Sequence, residues 1–366
     1  MVSQQLNTSA AAGNIALVVG ATGITGSNLA LKLIEKQWTV FGLSRNPNNN
    51  VEGLHPIAAD LLNEESLAAA LKDISPTHVF FTTWMRNDTE EENIRINSAM
   101  IHNLLHILSF KKTVQHVSLV TGLKHYLGPF DAYAKAGTLP ETPLREEMPR
   151  LDLPNFYYSQ EDEIYKVALR DGFTWNVHRP HTVIGKTIGN AMNMGTTLAV
   201  YASICKKEGL PLIWPGSEAQ WNGLSDVTDA GILAEQIIWA ATTPNAWKEA
   251  FNITNGDVFR WKWLWPQIAQ WFDIDFEGYN GEIRPLEGIL NEKQSIWTEI
   301  AKENQLVETN LYTLASAWHT DLDLGRPLEV MTDMSKSRQL GFSVYKSTKD
   351  SFFDLFTLLR NDQIIP

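Results

Sequence analysis

Residues 20–26 read GATGITG and lie between a short apolar run, IALVVG (15–20), and a stretch, ATGITGSNLALKLIEKQ, with helical periodicity. No other feature narrows the possible folds so far. Glycines at 20, 23 and 26 let a backbone turn tightly as it leaves a strand and approach an anionic group resting on the N-terminus of the next helix. The spacing is G-x-x-G-x-x-G rather than G-x-G-x-x-G, but the steric logic is shared, and the strand–turn–helix setting is the one that a dinucleotide site requires. Thr22 and Ile24 fall in the same turn.

The rest of the N-terminal half repeats this alternation. Strands are predicted at WTVFGLSR (38–45), HPIAAD (55–60), THVFFTTW (77–84), VQHVSLVTG (114–122) and TWNVHRPHTVIG (174–185). Helices are predicted at EENIRINSAMIHNLLHILSF and from about Tyr157 onward. Such alternation implies βαβ units and a doubly wound parallel sheet of the extended Rossmann type. Beyond about residue 190 helical patterns take over, with NMGTTLAVYASICKKEG as one helix and Asp226 or Thr228 as the N-cap of another. A stretch from 261 onward is rich in tryptophan, and the thirteen tryptophans of the chain are expected mainly as core packing. The expected layout is a frayed segment 1–12, a dinucleotide domain 13–190 to which 220–260 return, and a smaller, mainly helical substrate lobe from 191–219 and 261–366.

The second strand selects the nucleotide. An NAD site places Asp or Glu there to bond the ribose hydroxyls. This chain has Ser44 and Arg45 instead, a hydroxyl and a guanidinium that suit a 2′-phosphate, so NADP(H) is expected. Asp60 and Leu61 are placed at the adenine edge, and Thr82 and Thr83 along the groove, because open α/β sheets bind ligands at the C-terminal ends of their strands.

A formal charge of -12 argues against a nucleic-acid or anionic-membrane partner, both of which need a basic face. No apolar run reaches the length of a membrane span, and the first dozen residues lack the basic start and apolar stretch of a signal peptide. A soluble, cytoplasmic protein is expected. The single cysteine, Cys205, permits no internal disulfide and is expected as a buried thiol. His178 and His181 lack metal-ligand spacing, so no metal is expected.

A reductase on this scaffold needs a group that stabilises an oxyanion and a cation to tune it, which a tyrosine beside a lysine supplies. Of the nine tyrosines only Tyr345 has a lysine four residues on, Lys349, and that pair lies far along the chain from the groove. Two other stretches hold the parts. TGLKHYLGPF (121–130) puts Lys124 at the exit of a strand, and LPNFYYSQEDEIYKVAL puts Tyr157 and Tyr158 at the start of a helix. His125 and Tyr126 read as packing residues.

With GATGITG, TGLKHYLGPF, NFYYSQED, WNVHRPHTVIG, YASICKKEG, EAFNITNGDVFRWK and DMSKSRQLGF, the chain resembles the progesterone 5β-reductase/iridoid synthase group of short-chain dehydrogenases over nearly its whole length. The resemblance implies reduction of the carbon–carbon double bond of enones and enals with NADPH, by hydride addition to the β-carbon. It implies Tyr157 as the group that stabilises the enolate oxygen and Lys124 as its support, with Val183 near the nicotinamide and Tyr157 also at the cofactor. The group commonly carries two arginines after the second strand, where this chain has Ser44 and Arg45. Trp84 and Tyr201 are expected on an apolar wall for a small enone or enal substrate. Two rivals share the scaffold: a carbonyl reductase or nucleotide-sugar epimerase, and a catalytically silent NADP-binding regulator. The helix around EENIRINSAMIHNLLHILSF could bury part of its apolar face in a homodimer.

Overall fold

The computed structural model describes residues 13–47, 51–129, 141–190 and 192–366. Residues 1–12 and 130–140 lie outside the described residues, so the frayed-terminus reading and Phe130 are not placed.

Seven strands form one parallel sheet: β1 Ile15–Val19, β2 Thr39–Ser44, β3 Leu54–Ala58, β4 His78–Phe81, β5 His116–Val120, β6 Thr174–Pro180 and β10 Glu249–Ile253. Four short strands pair elsewhere, β7 Val183–Ile184 with β9 Thr228–Asp229 and β8 Leu212–Ile213 with β11 Phe276–Glu277. The spatial order is β10-β6-β5-β4-β1-β2-β3. From β1 the chain winds outward to β2 and β3, then crosses back to β4 and proceeds the other way. The crevice between β1 and β4 is therefore the topological switch point, where such sheets hold ligands.

The apolar runs of β1 and β4 are nearly continuous because both faces of the sheet are covered. On one face, helices Glu64–Leu71, Glu90–Ser109 and Phe156–Asp171 close a core around Leu17, Val79, Leu104 and Ile164. On the other, helices Ile24–Glu35 and Ala230–Thr242 pack Leu29, Leu33, Leu233 and Ile237 against Val18 and Phe80. The helix Glu90–Ser109 buries Ile96, Met100, Ile101, Leu104, Leu105 and Leu108 in its own chain, so its main apolar face is occupied without a second subunit.

A separate helical core gathers the tryptophans. Trp214, Trp261, Trp265 and Trp297 are buried together with Phe352 and Phe356, and the Trp214 and Trp265 rings meet edge-on with centroids 5.1 Å apart. Cys205 is buried here, and burial pushes its thiol up to about 12. The predicted cap of helix Ala230–Thr242 requires correction. Asp229 is the N-cap, accepting from the amides of Gly231 and Ile232; Asp226 has a different task, described below.

Candidate active site

The turn after β1 is built as its glycines require. Gly20 has φ +87°, a left-handed conformation, and a Cβ there would stand 2.6 Å from Thr83 Cβ. A Cβ on Gly26 would meet the Gly20 carbonyl oxygen at 2.2 Å, so Gly26 serves close packing inside the turn and does not line the cleft. Gly23 leaves the cradle open: the nearest atoms to a Cβ would be Gly20 O at 3.4 Å and Asn190 Nδ2 at 3.8 Å. Gly23 is also the N-cap of helix Ile24–Glu35 and has no side chain to cap it, so the first-turn amides remain for an anion.

A cleft of about 540 Å³ runs from this turn across the C-terminal ends of the strands. Ser44, Arg45, Asp60 and Leu61 line one end, and Thr82, Thr83, Trp84 and Val183 line its course. Ser44 Oγ is buried and, among the described residues, has no hydrogen-bond partner. The exposed Arg45 guanidinium beside it presents a cation at this end of the cleft, able to pair with an anionic group of a dinucleotide. Asp60 caps its own turn through Oδ1 to the Leu62 amide, and Thr82 Oγ1 donates to the Val19 carbonyl at 2.8 Å, stitching β4 to β1.

At the exit of β5 a short helix, Lys124–Leu127, turns Lys124 inward, where it is buried. Its ammonium lies 4.7 Å above the ring centres of both Trp84 and Phe156 and 5.9 Å from that of Tyr157. This aromatic floor holds a charge that burial alone would disfavour. Asn155 joins the corner to the next helix. Its Oδ1 accepts from the Tyr157 amide at 3.0 Å, as an N-cap, and its Nδ2 donates to the Lys124 carbonyl at 2.8 Å. Tyr157 reaches the cleft beside Gly122, where a Cβ would stand 3.4 Å from the phenol oxygen. Tyr158 turns away, its hydroxyl donating to the His125 carbonyl and accepting from the Leu151 amide.

The far end of the cleft comes from the helix Ala317–Leu324 and its continuation. Trp318, His319, Asp323 and Arg326 line it. Arg86, leaving β4, lays its guanidinium over the Trp318 ring at 4.2 Å. Arg326 pairs with Asp323 and bonds His181 Nε2 at 2.6 Å. His181 Nδ1 lies 2.7 Å from Asp226 Oδ1, whose other oxygen accepts from the Thr332 amide and hydroxyl. His178 is a core residue held between Gln236 and Asn176, and burial lowers it to about 4. Among the described residues no cluster of His, Cys, Asp or Glu could hold a metal.

The structure thus brings together Gly20, Thr22, Gly23, Ile24, Ser44, Arg45, Asp60, Leu61, Thr82, Thr83, Trp84, Lys124, Tyr157 and Val183. It does not bring Tyr201 there. That side chain is buried in the helical core with its hydroxyl bonded to the backbone of Ile213, which corrects its placement on the substrate wall. Tyr345 is 75% exposed and, with Lys349, lies outside the cleft. Sequence reasoning missed Arg86, Asn155, Trp318, His319, Asp323 and Arg326. His319, Asp323 and Arg326 follow at helical spacing, a signal of one shared face, but nothing local says which cavity that face meets.

The fold resembles a UDP-glucose 4-epimerase of Thermus thermophilus, solved with NAD, with a TM-score of 0.64 over 94% of this chain and 99% of that one at 16% identity. At that identity the likeness concerns the fold alone. Sequence relatives stand much nearer. An (S)-8-oxocitronellyl enol synthase of Nepeta cataria is 38% identical over 366 aligned residues, covering 96% of this chain and 93% of that protein. A 3-oxo-Delta(4,5)-steroid 5-beta-reductase of Arabidopsis thaliana is 39% identical over 368, with the same coverage of each. The profile of the PRISE-like Rossmann-fold domain matches residues 54–366. With the glycine turn, the lysine corner and the tyrosine helix converging on one cleft, the chain belongs to the PRISE family of Rossmann-fold reductases.

Proposed function

We propose that the cleft holds NADPH and a small enone or enal, and that Tyr157 and Lys124 carry a 1,4-reduction. The chain is an oxidoreductase acting on the carbon–carbon double bond of enones, with a nicotinamide dinucleotide bound in a Rossmann fold. When bound, the dinucleotide supplies a hydride. The chain's own residues do the rest. The amides after Gly23 hold the pyrophosphate, while Ser44 and Arg45 take the 2′-phosphate. Hydride addition at the β-carbon moves the π electrons toward the carbonyl, so negative charge gathers on the substrate oxygen. The Tyr157 hydroxyl donates to that oxygen, and the ammonium of Lys124 beside it lowers the cost of the charge. Trp84 and Phe156 keep the ammonium fixed and water away from it.

The observation that carries this reading is the convergence of Lys124 and Tyr157 on the floor of one cleft, without a Tyr-x-x-x-Lys pair. A carbonyl reductase or epimerase of this scaffold normally relies on that pair, and a silent nucleotide-binding protein has no use for a buried ammonium aimed at the cleft. The substrate is a small molecule, and the protein acts in a reducing, cytoplasmic setting. Residues 13–190 and 220–260 serve the nucleotide, and residues 191–219 and 261–366 serve the substrate. The test is NADPH oxidation across enones, enals, ketones and nucleotide sugars. Enones and enals are consumed and, once the enolate takes a proton from solvent at its α-carbon, the saturated carbonyl is the product; consumption of ketones alone overturns the reading.

A further inference from the structure

The helix Ala317–Leu324, which brings Trp318 and His319 to the cleft, is tethered in two directions. Asp321 accepts from the amides of Leu286 and Glu287 and so fastens the helix to the helical core. Asp323 and, just beyond the helix, Arg326 meet instead the chain that leaves β6. Asp323 pairs with Arg326 and accepts from the Thr182 hydroxyl, while Arg326 reaches His181 Nε2 at 2.6 Å. His181 Nδ1 in turn lies 2.7 Å from Asp226 Oδ1, and Asp226 Oδ2 accepts from the amide and hydroxyl of Thr332. His181, Asp226, Asp323, Arg326 and Thr332 are all buried.

The chemistry of these neighbours fixes the state of the ring. A guanidinium only donates, so Nε2 must accept, and the imidazole is neutral with its proton on Nδ1, where it donates to Asp226. Both ring nitrogens are thereby engaged. Although His181 lines the cleft, it has no polar atom left to offer a substrate or a nucleotide, so its action falls on its neighbours. It follows Pro180 directly. The Pro180 carbonyl oxygen and the Tyr157 phenol oxygen would each stand 3.4 Å from a Cβ on Gly122, so the chain enters His181 from beside the tyrosine. The imidazole therefore joins the floor of the cleft, next to Tyr157, to the wall that carries Trp318 and His319. Taking one member from such a buried array leaves the others desolvated and poorly matched, which is what makes the tie firm.

Resting on the enone-reductase reading of the same cleft, we propose that His181 is a positioning residue that sets the spacing between the β6 floor and the helical wall, and with it how tightly an enone is held for hydride addition. Arg326 is its arm on the wall side, and Asp226 orients the ring from behind. Loosening this tie lets the wall drift from the floor at the substrate end. The glycine turn and Arg45, at the other end of the cleft, keep their places.

The experiment uses the full chain with NADPH and the conjugated probes cyclohexenone, citral and decenal, and the variants are compared on the probe that the wild type reduces best. His181→Phe is expected to raise KM for that probe about 10-fold, the scale of one buried charge-assisted hydrogen bond, with a smaller fall in kcat. NADPH affinity, read by fluorescence, is expected to stay near that of the wild type. His181→Gln keeps an acceptor for Arg326 and is expected to restore most of KM. His181→Asn is too short to reach Arg326, keeps only the donor to Asp226, and is expected to behave like His181→Phe. A wild-type KM in His181→Phe, with only the melting temperature lowered, overturns the proposal and leaves the enone reading standing, because KM does not depend on how much of the enzyme is folded. Equal KM in His181→Gln and His181→Asn also overturns it, and decides the matter where His181→Phe does not fold. An NADPH dissociation constant that rises in step with KM moves the ring to cofactor binding and refutes it. A collapse of kcat at unchanged KM places the ring at the reacting atoms and refutes it too. Reduction of none of the probes by the wild type defeats the enone reading, and this proposal falls with it.

Discussion

Tyr157 and Tyr158 are chain neighbours with different surroundings: one lines the cleft and the other bonds the backbone. Tyr158 bonds the backbone at His125 and Leu151, and burial raises its phenol. Tyr157 opens on the cleft. Tyr157→Phe is expected to lower kcat for an enone about 10²–10³-fold while NADPH still binds, the usual loss for one oxyanion donor. Tyr158→Phe is expected to keep most of kcat and to lower the melting temperature. Lys124→Ala removes the buried cation and is expected to reduce kcat by a smaller factor, since the charge tunes the donor without donating to the substrate. Stopped-flow reduction beside a fluorescence titration of NADPH separates these outcomes. Equal kcat in wild type and Tyr157→Phe on every reducible enone removes the tyrosine from its assigned role. At the other end of the cleft, Arg45→Asp is expected to weaken NADPH by about 1–3 kcal/mol and NADH far less, because only NADPH offers a 2′-phosphate to the guanidinium. Equal losses for the two nucleotides exclude Arg45 from that contact.

At the scale of elements, the helix Phe156–Asp171 is fixed at both ends, by Asn155 as N-cap and by Gly172 at φ +83° as its left-handed stop. One turn after Tyr157 it carries Glu161, which is buried. That carboxylate meets Arg150 at 2.8 Å, Arg179 at 3.5 Å and His125 at 3.7 Å, so it ties the helix to β6 and to the lysine corner. Burial pushes its pKa upward, but His125, Arg179 and Arg150 outweigh that and hold it below the ordinary glutamate value. A carboxylate whose folded pKa is depressed contributes stability above its unfolded pKa, and that contribution is lost as pH falls through the folded value. Glu161→Gln takes the carboxylate from the buried Arg179 guanidinium and is expected to cost about 3 kcal/mol at pH 7. Denaturant melts from about pH 7 to pH 3 test both points. The wild type should lose stability toward acid more steeply than Glu161→Gln, and parallel curves would show that the cluster contributes nothing to the acid limb.

Over the whole molecule, two cores share one chain: a sheet with helices on both faces, and a tryptophan-rich helical core beside it. Among the described residues no helix is long and apolar enough to cross a membrane. A homodimer through the helix Glu90–Ser109 would have to use what that helix leaves outside, such as Phe110 at its end and Leu169 on the neighbouring helix, both strongly exposed. Light scattering at micromolar concentration reads the mass, and a monomer removes the dimer. The amino-acid sequence by itself determined the parallel α/β sheet and the glycine turn, and it indicated the hydroxyl and guanidinium after β2, because each leaves a signature within a short stretch of chain even where the strands it forms pair over long separations. A glycine at φ +87° or an apolar strand buried on both faces leaves its mark locally. Lys124 and Tyr157 stood out by position, but their pairing was legible only through family resemblance, since they lie far apart in the chain. What the tertiary structure alone decided is the far wall. His319, Asp323 and Arg326 reach the cleft only because the helical core docks their helix there, while Tyr201, which looked like a wall residue, is drawn inward to bond Ile213. Asp226 looked like a helix cap and instead pairs with His181, leaving Asp229 to cap. Short-range stereochemistry is written in adjacent residues, but which side chain faces a cavity depends on how whole elements pack, and that packing is a property of all of them together.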